Sequence, residues 1–267
     1  IRRLKASKHG SNLVNPPLYD FSIKSLGTCT IPSPVSLSQY ISDANRVLFN
    51  VGIDSYSELK SQDGKPLSIE VAGPRKLIYF RPASTRAAIV TCGGICPGIN
   101  DVIRSIVMEL YHRYGVHEIF GIRYGFRGMI PEYGHAPVPL TPETVKDIHA
   151  TGGSFLSSSR GKQETPEIVD ALVNMGIDIF FCIGGDGTMR AAQTVTEEIL
   201  KRNLQISLIG VPKTIDNDLN LIQKTFGYDT AISEAVNAIR CAHVEAKGSP
   251  MGVGIVKIMG RQSGHIA

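Results

Sequence analysis

The sequence predicts an α/β fold built on a parallel sheet, and three observations carry that prediction. Short apolar runs bounded by glycine or polar residues alternate with longer segments of helical period. Such alternation belongs to a parallel sheet covered on both faces. Hydrophobic residues make up 42% and charged residues 19% of 267 positions, the texture of a globular chain long enough to bury a sizeable core. Every unusual motif also falls at the end of a predicted strand, where ligands gather in such sheets.

Taken in order, residues 1–84 read as an irregular N-terminal extension. Pro16, Pro17, Pro32, Pro34, Pro66, Pro74 and Pro82 interrupt it, and the period of "SLSQYISDANRVLF" predicts a short helix. "RAAIVTC" (86–92) predicts a buried strand, "INDVIRSIVMELYHRY" (99–114) an amphipathic helix, and "EIFGI" (118–122) a strand. "TPETVKDIHA" and "TPEIVDALVNMG" each open on Thr-Pro followed by Glu, a helix-start signature. "IDIFFCIG" (177–184), "ISLIG" (206–210) and "GVGIVKIM" (252–259) predict three more strands. The helical segments between them are "GTMRAAQTVTEEILKRN" and "DTAISEAVNAIRCAHVEAK".

Several function classes lose support. A net charge of +4 is too small to argue for nucleic acid and is compatible with an anionic small molecule. The five cysteines contain no CxxC pair, which predicts reduced thiols, with Cys92 and Cys182 buried at the ends of apolar runs. The seven histidines form no metal-ligand pattern such as HExxH. No stretch reaches the roughly 18 apolar residues a membrane span requires.

The strand-end motifs carry the chemistry. In "TCGGICPGIN" (91–100), Gly93, Gly94 and Gly98 let the backbone approach a ligand, and the helix beyond favours phosphate at its N-terminus; the bland reading is a tight turn. "TGGSFLSSSRGK" (151–162) supplies hydroxyls and Arg160, whose planar fork suits a phosphate. It is not a Walker loop, because Leu156 stands where the first glycine of GxxxxGK is needed. "IGGDGTMRAA" (183–192) runs from an apolar strand through Gly184, Gly185, Asp186, Gly187 and Thr188 into a helix, which fits a polyphosphate and a Mg²⁺ ligand at Asp186. "VPKTIDNDL" follows one strand later. Carboxylates beside a polyphosphate repel it unless they serve Mg²⁺ or face an acceptor hydroxyl.

Taken together, "GGICPGIN", "GIRYGFRGM", "GGSFLSSSRG", "GGDGT", "PKTIDND", "TFGYDTA" and "MGRQSGHIA", in this order, resemble 6-phosphofructokinases. The lead-in "AGPRKLIYFRP" and the extension are similar to the branch that includes plant and trypanosomatid ATP-dependent enzymes. The resemblance implies a phosphofructokinase-like parallel-sheet fold: an extension (1–84), an ATP-binding domain (85–224), and the truncated start (225–267) of a fructose 6-phosphate domain. It implies Gly93, Gly94, Arg160 and Gly161 on the ATP side, and Gly185, Asp186, Gly187 and Thr188 at the polyphosphate, with Asp186 serving Mg²⁺. Thr214, Ile215 and Asp216 would meet the sugar phosphate, and Met259, Gly260 and Arg261 would complete its contacts. Asp216 would be the base of a catalytic set with Lys213, Thr214 and Asp218. One position departs: Gly252 stands where short bacterial members carry an arginine. The resemblance further implies a glycolytic, effector-regulated homo-oligomer (dimer or tetramer), cytoplasmic or in an organelle such as a glycosome. The 267-residue chain alone is expected to be inactive.

The donor divides the family. Pyrophosphate enzymes typically carry a second aspartate where Gly187 stands, and a carboxylate about 4 Å from a phosphate costs about 4 kcal/mol at an effective dielectric of 20. Gly187 therefore favours ATP, whereas Lys213 is also usual in pyrophosphate enzymes. The alternatives are a pyrophosphate-dependent phosphofructokinase and a non-catalytic regulatory subunit of the same fold. NAD kinase and diacylglycerol kinase relatives share the Gly-Gly-Asp-Gly-Thr turn but not "PKTIDND" followed by "MGR". A dehydrogenase would need GxGxxG, which is missing.

Overall fold

The computed structural model describes residues 23–48, 67–219, 222–260 and 263–267. The chain divides into two compact units, one of residues 1–25 and 39–75, the other of residues 26–38 and 76–267. Four short strands precede the main sheet: β1 (Ile31–Pro32), β2 (Arg46–Leu48), β3 (Ser68–Glu70) and β4 (Leu77–Ile78). β2 pairs antiparallel with β3 in the first unit, and β1 pairs antiparallel with β4 in the second. The helix expected over "SLSQYISDANRVLF" does not form among its described residues. Asn45 donates its backbone N–H to the Ser42 carbonyl (2.9 Å) and accepts the Ser42 N–H on its side chain (2.8 Å), closing a turn that hands the chain to β2. Local Asn/Ser bonding wins there over a weak apolar period.

The second unit holds a five-stranded sheet. Its strands are β5 (Arg86–Thr91), β6 (Glu118–Ile122), β7 (Val138–Pro139), β8 (Ile179–Gly184) and β9 (Ser207–Pro212), in spatial order β7-β6-β5-β8-β9. All neighbours are parallel except the edge strand β7. Helices α1 (Ile99–Met108), α2 (Thr165–Asn174), α3 (Asp186–Lys201) and α4 (Tyr228–Lys247) alternate with the strands. Burial on both faces of β5 explains why its middle, Ala87 to Val90, is apolar at every position. Ala88 and Val90 pack with Leu172 of α2 and Val195 of α3, while Ala87 and Ile89 pack with Ile103 and Val107 of α1. Arg202, just past α3, pairs with Glu198 (2.7 Å) and with Asp170 of α2 (2.6 Å), tying the two helices together. Among the described residues no helix is long and apolar enough to cross a membrane.

The helix expected over 99–114 forms over that whole span, α from Ile99 to Met108 and π from Glu109 to Tyr114, ending at Gly115 with φ 73°. Two further expectations need correction. "TPETVKDIHA" makes turns and a short 3₁₀ helix (Ile148–Ala150), because Thr141 and Thr144 exchange side-chain-to-backbone bonds (2.8 and 3.2 Å) and the chain must then meet Asn100 of α1. The run 252–259 is not a strand: no described strand pairs with it, and Val253 (82%) and Ile255 (89%) are exposed. An alternating apolar run cannot stay extended as a strand without a neighbour to take its N–H and C=O groups.

Cys92, Cys96 and Cys182 are buried and Cys29 and Cys241 exposed, all as free thiols. Burial pushes Cys92 up to about 12 and Cys96 up to about 11, with the Lys213 charge opposing both, and burial also raises Cys182. Alkylation of the native protein at pH 8, read by peptide mass mapping, is expected to label Cys29 and Cys241 and to reach the other three only after denaturation. Unfolded thiols ionise from about 9, whereas Cys92 keeps its proton to about 12. Its contribution to stability is therefore full below pH 9 and falls as pH rises toward 12.

Candidate functional site

The chain runs from β5 to β6 on one side of the sheet and later from β8 to β9 on the other, so its direction reverses between the adjacent strands β5 and β8. The crevice beyond the C-terminal ends of such a strand pair is a ligand site. Three loops meet there: 92–98 after β5, 184–188 after β8, and 213–219 after β9.

Cys92 continues the ladder by donating its N–H to the Ile183 carbonyl (2.9 Å), and Gly93 then turns with φ 82°, a region that favours glycine. The 151–162 loop backs this turn. Gly93 donates its N–H to the Ser159 carbonyl (3.1 Å), and the Ser158 hydroxyl donates to the Gly93 carbonyl (2.6 Å). Thr91 at the end of β5 donates to the Ser157 carbonyl (2.6 Å). Arg160 is exposed, and its guanidinium lies 3.6 Å from where a Cβ on Gly94 would stand. Gly161 beside it is exposed, with φ 111°.

The Gly-Gly-Asp-Gly turn separates by cause. A Cβ on Gly184 would strike the buried Thr188 side chain, so that glycine is demanded by packing. Gly185 caps α3, and its carbonyl accepts the N–H groups of Thr188 (2.9 Å) and Met189 (3.0 Å). A Cβ on Gly187 would meet nothing within 4 Å. Packing within the fold therefore supplies no steric reason for glycine at 187. Asp186, 44% exposed in its side chain, opens the helix and pairs with Arg190 one turn on (2.8 Å).

Lys213 joins all three loops. Its N–H donates to the Gly184 carbonyl (2.8 Å), and its buried ammonium donates to the Gly94 carbonyl (2.5 Å). Thr214 and Asp216 are also buried. The Thr214 hydroxyl donates to Asp218 (3.1 Å) and accepts the Asp216 N–H (3.0 Å), so the two aspartates sit on one hydroxyl-centred turn, with half-buried Ile215 between Thr214 and Asp216. The Ser263 hydroxyl donates to the Asp216 carbonyl (3.0 Å), bringing the last segment to this loop. Met259 and Gly260 are exposed, and Arg261 lies outside the described residues. An apolar cavity of about 510 Å³ lies elsewhere, against mid-strand Phe181 and Ile209 with Tyr79 and Tyr114, and offers no cation to a phosphate.

Sequence reasoning offered Ser158 and Ser159 only as loop hydroxyls and missed Asn217, Thr225 and Ser263 as parts of this architecture. Only Asn217 carried a local signal: asparagine tolerates the positive φ (49°) found there.

The sequence profile described as phosphofructokinase matches residues 86–267. The chain is 46% identical to an ATP-dependent 6-phosphofructokinase of Borreliella burgdorferi over 255 residues, covering 93% of this chain and 56% of that one. It is 48% identical to the ATP-dependent 6-phosphofructokinase of Trypanosoma cruzi, covering 76% of this chain and 42% of that one. ATP-dependent 6-phosphofructokinase 7 of Arabidopsis thaliana is 50% identical, with 73% and 40% covered. The chain thus spans about half the length of the curated relatives it matches. Among solved structures, a pyrophosphate-dependent phosphofructokinase of Marinobacter aquaeolei superposes with TM-score 0.54 at 22% identity over 61% of this chain and 42% of that one. The T-state phosphofructokinase of Pichia pastoris does so with TM-score 0.55 at 20% identity over 76% and 24%. At such identities the structures speak to the fold alone. The profile match, the identities and the shared fold agree: this chain belongs to the phosphofructokinase family.

Proposed function

We propose that the full-length protein is an ATP-dependent 6-phosphofructokinase, moving the ATP γ-phosphoryl to the C1 hydroxyl of fructose 6-phosphate. The observation that carries this reading is the buried Lys213, which joins the glycine turns after β5 and β8 to the loop bearing Asp216. A donor cradled by backbone N–H groups and an acceptor facing a carboxylate then share one crevice. In this reading residues 85–224 hold the nucleotide, 225–267 begin the sugar-phosphate domain, and the enzyme is a homo-oligomer.

A sugar hydroxyl has a pKa not far below the ~15.7 of water and a carboxylic acid one near ~4, a gap of about 11 units or ~15 kcal/mol. A carboxylate therefore cannot pre-form an alkoxide. Asp216 orients the hydroxyl and accepts its proton late, as the bond to phosphorus forms. Arg160 and the N–H groups of the glycine turns bind and align the phosphates, and Lys213 adds positive charge between donor and acceptor.

Mg²⁺ fits as an ion arriving with the nucleotide. Among the described residues no group of three or more His, Cys, Asp or Glu side chains could cage a metal, and Mg²⁺ commonly takes one or two carboxylates plus substrate phosphates. Asp186 would hold it, giving up its pairing with Arg190. When bound, the ion would neutralise charge on the transferred group.

Gly187 supports ATP over pyrophosphate, because the open space beside it leaves room for the nucleotide's additional phosphate. A coupled assay of the full-length protein, with ATP and then pyrophosphate as sole donor, is expected to give turnover with ATP. Turnover with pyrophosphate alone overturns the donor assignment, and none with either overturns the function.

A further inference from the structure

We propose that Thr225 is a positioning residue for Asp216, acting through the Thr214 carbonyl before it and the Asn217 side chain after it; this rests on the reaction proposed above. Thr225 lies nine residues past Asp216, in "TFGYDTA", and is 5% exposed. Its hydroxyl donates to the Thr214 carbonyl (2.7 Å), and its N–H donates to the Asn217 side-chain oxygen (2.9 Å). Asn217, at φ 49°, also donates its side-chain amide to the Gln223 carbonyl (3.2 Å). Residues 214 and 217 are thus held by one threonine, and Asp216 lies between them.

The strut holding that loop is itself anchored at the donor turn. The Cys96 thiol donates to the Phe226 carbonyl (3.2 Å), and Phe226 and Gly227 pack against Gly98 and Pro97. Residues 225–227 therefore fix the spacing between the turn after β5 and the loop after β9. Removing the Thr225 hydroxyl leaves the buried Thr214 carbonyl without that donor and lets the acceptor loop drift. A displacement near 1 Å in such a geometry costs up to ~100-fold in rate. The donor turns keep their own bonds to Ser158, Ser159 and Lys213, so ATP affinity is spared.

In the full-length protein, Thr225→Val is expected to lower kcat about 10- to 100-fold while the Kd for ATP, measured by calorimetry, stays within about threefold. Thr225→Ser restores the hydroxyl and is expected to recover kcat to within about threefold of wild type. A valine variant with wild-type kcat overturns the proposal, as do serine and valine variants that fall together. If Thr225→Val does not fold, Asn217→Gly decides: it keeps the positive φ but removes the side-chain oxygen. A fall in kcat at unchanged ATP affinity supports the proposal, and unchanged kcat overturns it. Wild type assayed alongside separates the two ideas. No wild-type turnover with either donor overturns the proposed reaction and this inference with it, whereas an active wild type with an unaffected Thr225→Val overturns this inference alone.

Discussion

Asp216→Ser in the full-length protein is expected to lower kcat by about 100- to 10,000-fold, the range a general base contributes, with ATP binding near normal. Asp216 is buried on the loop after β9, its N–H held by the Thr214 hydroxyl and its carbonyl by Ser263. Serine is small and polar and can keep both backbone contacts while losing the carboxylate. The turns assigned to the nucleotide follow β5 and β8, and Ser158, Ser159 and Lys213 bond to them. Steady-state kinetics at saturating ATP and sugar phosphate, with calorimetric ATP binding, form the check. Retained turnover sinks the assignment of Asp216, and a parallel loss of ATP affinity would mean that the residue organises the whole crevice.

Gly187→Asp is expected to fold with little change in Tm and to lose affinity for ATP by about 1,000-fold, the equivalent of ~4 kcal/mol between a carboxylate and a phosphate about 4 Å apart. The substitution is sterically open, since a Cβ there meets nothing within 4 Å, and an acid in the first turn of α3 suits the helix dipole. Gly184→Ala supplies the contrast, because its added methyl collides with Thr188 and should destabilise the protein. Thermal melts and ATP titrations of both variants separate a ligand-driven glycine from a packing-driven one. If Gly187→Asp binds ATP as tightly as wild type, residue 187 does not face the nucleotide phosphates.

Much of the sheet was legible because burial on both faces makes a strand's whole run apolar. β5, β6, β8 and β9 all lie within two residues of their expected bounds. Long amphipathic segments such as α3 and α4 were equally plain. The failures share a cause. The helices expected at "SLSQYISDANRVLF" and "TPETVKDIHA" and the strand expected at 252–259 were inferred from short patterns. Side-chain bonds by Asn45, Thr141 and Thr144, or the lack of a described pairing strand, overrode those patterns.

The sequence by itself determined the fold class, the order of the glycine turns and the residue types available for phosphate and proton chemistry, because these depend on local period and on motif order. Only the tertiary structure decided which of those residues meet. Lys213 reaches Gly94 across 119 positions of chain, Ser158 backs Gly93 across 65, and Thr225 grips both sides of Asp216. Tertiary structure also divided the Gly-Gly-Asp-Gly turn into Gly184, required by Thr188, and Gly187, required by nothing in the fold. A sequence pattern records which side chains are present. Whether an added atom would find open space or a neighbour depends on chain segments that the pattern does not bring together.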